Sequence, residues 1–140
     1  MNPDHGHRAI PHTADVIIEA WAADFEACCR EAVVALIQSC VDGSRASVCA
    51  THRFTVASAS PDAILLDVLD EVIFVLDTET AVPVDADVVA VPGGGLEVEL
   101  TMADRRTVRP TGSAPKAVSR SGLTVLREDG RFLCSFLVDV

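Results

Sequence analysis

Between Leu96 and Met102 apolar and polar residues alternate without a break: Leu96, Val98, Leu100 and Met102 against Glu97, Glu99 and Thr101. A period of two excludes a helix and predicts a strand with one dry face and one wet face. Such strands belong to antiparallel sheets that are covered on one side only. The rest of the chain must therefore supply the cover.

Two segments have the spacing to do so. After Asp24, a good N-cap residue, apolar side chains fall at Phe25, Cys28, Cys29, Ala32, Val33, Leu36, Ile37 and Cys40. That is one buried helical stripe, with Glu26, Arg30, Glu31 and Gln38 off it and Asp42-Gly43 as its stop. Ser60-Pro61-Asp62 opens a second helix with a capping serine and a proline in the first turn. Its stripe is Ile64, Leu65, Val68, Leu69, Val72, Val75 and Leu76, with Asp67, Asp70 and Glu71 outside and an end near Asp77.

The remaining patterned stretches read as strands: 16–21, 51–57 and 88–91 before the turn Pro92-Gly93-Gly94-Gly95, then 117–126 and 132–140 about a hairpin turn at Glu128-Asp129-Gly130. Residues 103–115 read as a polar loop. The sum is an α+β fold: two helices packed on a largely antiparallel sheet, as a single domain over residues 1–140, with residues 1–9 expected to be a mobile tail.

Composition narrows the function. The net charge is −10, which disfavours tight direct nucleic-acid binding, because gripping phosphates takes a basic stripe. The short cluster Arg105, Arg106 and Arg109, with Lys116 and Arg120 beyond, reads as a solvated loop. No apolar run approaches the roughly 18 residues of a membrane span, and residues 1–11 do not have the pattern of a signal peptide, so a cytoplasmic protein is expected. The five cysteines are odd in number and form no C-x-x-C pair, which argues against a disulfide framework or a zinc site. His5, His7, His12 and His52 have no zinc spacing.

Two carboxylates stand in surroundings that do not suit surface decoration. Asp15 comes immediately before an apolar strand, and Asp139 interrupts the last one. A carboxylate in such a setting needs a partner or a cation. If the chain ends at Val140, its terminal carboxylate is a third hard oxygen donor beside Asp139, which suits calcium or magnesium. Capping or turn roles for Asp15 remain open on the residues alone.

Several motifs resemble one family. His12-Thr13-Ala14-Asp15-Val16 with Glu19-Ala20-Trp21 looks like the opening motif of the archeases. The helix from Leu65 to Glu79 is similar to their second helix, and Lys116-Ala117-Val118 and Leu137-Val138-Asp139-Val140 are similar to their closing motifs. The resemblance runs through nearly the whole chain in order. It implies an accessory protein for the RtcB-type RNA ligase of tRNA splicing and RNA repair, promoting the ligase's guanylylation and multiple turnover without being an enzyme. It also implies a divalent-metal site, assigned to calcium in the family, at Asp15, Asp139 and Val140, and a functional surface that includes Lys116 and His12. The chain departs from the family's pattern at Ile17 and Ala22, where glycines are usual, at Cys28-Cys29, and at Arg120-Ser121, where Tyr-His is usual. The competing expectations are a chaperone-like binding module with a structural metal and a different partner, and a metal-dependent hydrolase using Asp15 and Asp139. No pattern beside these carboxylates supplies the hydrolase with a general base.

Overall fold

The computed structural model of the chain describes residues 4–12, 15–78 and 80–140, with Pro11 and His12 described by their backbone alone. The elements run β1 (Gly6–His12), β2 (Asp15–Ala22), α1 (Phe25–Gln38), β3 (Val41–Asp42), β4 (Val48–Val56), α2 (Pro61–Thr78), β5 (Ala81–Ala90), β6 (Leu96–Asp104), a 3-10 turn (Arg105–Thr107), β7 (Arg109–Pro110), β8 (Ala117–Val118), β9 (Thr124–Glu128) and β10 (Arg131–Asp139). The α+β expectation holds: two helices pack on antiparallel sheet.

Both helices start where their caps predict. Asp24 takes a hydrogen bond from the Ala27 amide at 2.8 Å, and Ser60 Oγ takes one from the Ala63 amide at 3.3 Å. Their burial is wider than one stripe. Leu66 and Ile73 of α2, and Glu31, Val34 and Ala35 of α1, are buried as well. The reason lies in the layering. A five-stranded sheet (β1-β2-β10-β8, with β9 also on β10) and a three-stranded sheet (β4-β6-β5) both contact the helices. Phe136, Ile18, Leu36, Leu65, Leu69 and Leu100 meet in the shared core.

Strand β6 has the alternation read from its sequence: Leu96, Val98, Leu100 and Met102 are buried and Glu97, Glu99 and Thr101 are not. The turn from β9 to β10 is the two-residue loop Asp129-Gly130, both residues at positive φ (53° and 75°), which matches the twist of the strands it joins.

Three expectations need correction. Residues 6–9 are not a mobile tail but the first part of β1, paired with β2 from Gly6↔Trp21 to His12↔Asp15; residues 1–3 of that tail lie outside the described residues. The strand expected over 117–126 is two strands, β8 and β9, because a turn at 120–123 lifts the chain off β10 between them. The strand expected at 88–91 begins seven residues earlier, at Ala81, with its register shifted between Pro83 and Asp85.

Candidate functional site

Strand β2 enters the sheet at Asp15, and β10 leaves it at Asp139. The two strands are antiparallel neighbours, so the ends of this pairing face each other: Asp139↔Asp15, followed by Val138↔Val16. On the other side of β2, His12 pairs with Asp15, and on the other side of β10, Ala117 pairs with Asp139. His12, Asp15, Asp139 and Ala117 therefore form one row across four strands. The Lys116 amide donates to the Asp139 carbonyl at 2.7 Å, which fixes the approach to β8 beside that row.

Directly opposed residues of an antiparallel pair project to the same side. Along β2 and β10 the even-numbered residues are the more buried ones, so Asp15 and Asp139 stand on the face turned away from the helices. Asp15 is half-buried with Oδ1 shut off from solvent, Asp139 is exposed, and Val140 packs partly against the core. Like charges on directly opposed positions destabilise a sheet. A hard cation offsets that repulsion, and opposed Cα atoms about 4.5–5.5 Å apart let two carboxylates reach one ion. The donor chemistry thus fits a divalent cation. Among the described residues no three His, Cys, Asp or Glu side chains converge as metal ligands. A third donor for such an ion would have to come from a Val140 oxygen or from residues outside those described. Thr13, Ala14 and the His12 side chain lie there. Lys116 is exposed, one residue from Ala117.

Sequence reasoning missed a second polar cluster, at the opposite end of β1. Glu31, placed outside the helix stripe by its spacing, is only 6% exposed. His7 Nδ1 lies 2.8 Å from its Oε1, His5 Nδ1 2.9 Å from its Oε2, and Arg30 3.6 Å from Oε2. His7 Nε2 reaches Gln38 at 3.0 Å, and Arg30 continues to Asp85 at 3.1 Å and the Ala86 carbonyl at 2.9 Å. The signal that could have found it is His5-x-His7, two imidazoles at the spacing of one strand face, the second on β1 and the first just before it. Five residues of strand, about 17 Å, separate His7 from the His12 row.

Of the five cysteines, Cys49 is exposed and four are in the core. Cys28, Cys29, Cys40 and Cys134 are buried free thiols. Burial raises Cys40 to about 11 and pushes Cys29 higher still, so neither is a ready thiolate. The arginine cluster at 105–109 is tied down in part: Arg106 grips Asp104 at 2.7 and 3.1 Å and holds that carboxyl down at about 2. No helix among the described residues is long and apolar enough to cross a membrane.

Comparison with known proteins supplies the lineage. A family model of the archease protein family matches residues 7–140. A Mycobacterium tuberculosis protein named "Probable protein archease" is 37% identical over 135 residues, which is 96% of this chain and 75% of that protein. The solution structure of Methanobacterium thermoautotrophicum protein 1598 superposes with a TM-score of 0.67 at 22% identity, covering 96% of this chain and 99% of the other. The crystal structure of a Thermotoga maritima protein described as an archease, possible chaperone, superposes with a TM-score of 0.69 at 17% identity, covering 95% and 96%.

Proposed function

Because the chain belongs to the archease family, we propose that it is an accessory protein promoting guanylylation and repeated turnover of an RtcB-type RNA ligase, in tRNA splicing or RNA repair. In this reading Asp15, Asp139 and an oxygen of Val140 hold a hard divalent cation, calcium or one of similar preference. The observation that carries it is the direct cross-strand opposition of Asp15 and Asp139.

When bound, the cation supplies positive charge at the end of the sheet where the two carboxylates would otherwise repel. The sheet contributes rigidity. Asp15 and Asp139 are fixed by a register of eight paired positions from Phe132↔Ala22 to Asp139↔Asp15, so they meet a partner already arranged. Lys116, anchored by its amide to Asp139, adds an exposed cationic side chain beside the row. No reacting group of its own is assigned to this protein, and the chemistry stays on the ligase.

The test pairs calorimetric calcium titration with a multiple-turnover ligation assay using the matching ligase. Asp15→Ala should lose calcium binding and stimulation together. Lys116→Ala should keep calcium affinity and lose stimulation. Full stimulation by Asp15→Ala would break the link between metal and helper function. No stimulation by the native chain, with calcium binding intact, would favour a chaperone-like module with a different partner, consistent with the change at Arg120-Ser121.

A further inference from the structure

Four of the chain's 11 lysines and arginines stand on two stretches, Arg45 on one and Arg105, Arg106 and Arg109 on the other, in a chain of net charge −10. The short ladder of β3 with β7 joins these stretches and pairs Asp42 with Arg109. The loops beyond the ladder are stapled to each other. The Ser47 amide donates to Thr107 Oγ1 at 2.9 Å, the Asp104 amide donates to the Ser47 carbonyl at 3.0 Å, and Thr107 Oγ1 donates to the Asp104 carbonyl at 2.7 Å. Beside them opens a cleft of about 470 Å³. Arg45, Arg106 and Arg109 line it together with Ser44 and Thr107. Its lining among the described residues is polar apart from Val108.

The two carboxylates nearby do not consume these arginines. Asp104 takes Arg106. Asp42 takes the Ser44 amide at 2.9 Å. That bond and the Ser44 hydroxyl, then the charges of Arg109 and Arg45, hold the Asp42 carboxyl below its ordinary range. Neither Arg45 nor Arg109 closes an ion pair among the described residues. Two guanidinium groups thus remain for an oxyanion, in a concave setting that focuses their field. A guanidinium fork matches phosphate oxygens two at a time.

Asp42 and Ser44 also line a larger cavity of about 720 Å³. Its walls are mixed: Val34, Ile37 and Val84 are apolar, whereas Gln38, Thr101 and Thr111 carry hydrogen-bonding groups. Arg30 and Asp85, also in its wall, neutralise each other at 3.1 Å. Both register shifts of the three-stranded sheet, between Val48 and Ala50 and between Pro83 and Asp85, fall beside this cavity. Bulges are over-represented next to functional sites, where they re-aim side chains. Both volumes lie in the range of small-molecule sites, about 300–1,000 Å³. We infer that the arginine cleft takes the phosphate group of a small phosphate ester and that the larger cavity takes its body, a sugar or a nucleoside. The guanidinium groups select the anion. The mixed walls select a body with apolar faces and hydroxyl or amide groups. A polynucleotide fits less well, because three arginines around one cleft do not make the stripe that neutralises successive phosphates. The inference is independent of the ligase reading and uses none of the residues of the carboxylate row.

The experiment titrates the full chain with adenosine 5′-monophosphate, ribose 5-phosphate, adenosine and inorganic phosphate, by calorimetry and by amide chemical shifts. A chelator is present throughout, so that no cation at Asp15 and Asp139 recruits the phosphate. The expected result is saturable, sub-millimolar binding of at least one ester, with adenosine and inorganic phosphate each weaker by about tenfold or more. Amide shifts should concentrate at 42–48 and 105–111. Arg45→Gln and Arg109→Gln, both at exposed positions, should each weaken the ester about tenfold. Arg127→Gln, on β9, should change affinity less than twofold. Tight binding of the nucleotide alone identifies a nucleoside body, and equal binding of both esters identifies a sugar phosphate. Absence of saturation by either ester would overturn the site, as would unchanged affinity in folded Arg45→Gln and Arg109→Gln. Inorganic phosphate binding as tightly as both esters would overturn the role of the larger cavity. No ligase enters the test, so its failure leaves the ligase reading standing.

Discussion

Replacing Glu31 by alanine should detach the start of β1 before it disturbs anything else. The carboxylate is 6% exposed and takes contacts from His7 at 2.8 Å, His5 at 2.9 Å and Arg30 at 3.6 Å. The His7 side chain is 26% exposed, so its bond to a charged acceptor falls in the range of about 1.5–3 kcal/mol. His5 is 65% exposed and Arg30 is 38% exposed, and solvent leaves each of those contacts with about 0–1 kcal/mol. Removing the carboxylate also recovers its desolvation cost, which offsets part of the loss. The net expectation is a destabilisation of about 1.5–3 kcal/mol. Urea unfolding measures the total. Hydrogen exchange locates it: amides of Gly6–Ile10 should lose protection while those of β6 keep theirs, since β1 is an edge strand held to the body through β2 and this cluster. A change below about 0.5 kcal/mol, with unchanged exchange in β1, would refute the idea that Glu31 anchors the strand.

Phe136→Ala, at 0% exposure opposite Ile18, should cost about 3–5 kcal/mol in urea unfolding. Burial, with Asp67 adding repulsion, raises Asp70 above the usual carboxylate range. A raised folded value means the ionised group opposes folding at neutral pH, and the penalty fades as pH falls through that value. Asp70→Asn should therefore raise Tm at pH 7, with the gain gone by about pH 3, where the acid is protonated folded and unfolded alike. The chain alone should show no saturable binding to tRNA halves at micromolar protein and moderate salt in an anisotropy titration, given its charge of −10.

What could be read from the sequence was what is locally encoded. The helices announced themselves through Asp24, Ser60 and their apolar spacing, and β6 through strict alternation. Strand β1 did not, because its inward residue His7 faces a buried carboxylate rather than an apolar core, so no period of two appears. For the same reason Glu31 looked like a surface residue of α1. The break between β8 and β9 was hidden in Ser119-Arg120-Ser121-Gly122, whose turn interrupts an otherwise strand-like run. Asp15 and Asp139 were conspicuous as carboxylates out of place. Their opposition depends on a pairing between distant segments, and spacing along the chain says nothing about that. The outward side of Ile17, Leu126 and Leu137 was invisible for a similar reason: they look like core residues until the register shows that they lie on the side away from the helices.

The pairing of β2 with β10 also governs when the protein can become itself. Asp15 and Asp139 are 124 positions apart (139 minus 15), yet they are neighbours in the middle of a sheet. Loop closure over that distance comes late and slowly, and chains dominated by such contacts fold in milliseconds to seconds. A nascent chain that has made β1, β2 and both helices still lacks the strand that completes its central pairing. Until β10 arrives, one edge of β2 is open, β9 has nothing to pair with, and the carboxylate end does not exist. A stop codon or proteolytic cut just before β10 would thus remove the centre of the sheet rather than trim its margin. The unfinished chain would present an unpaired strand edge to the cell's quality control.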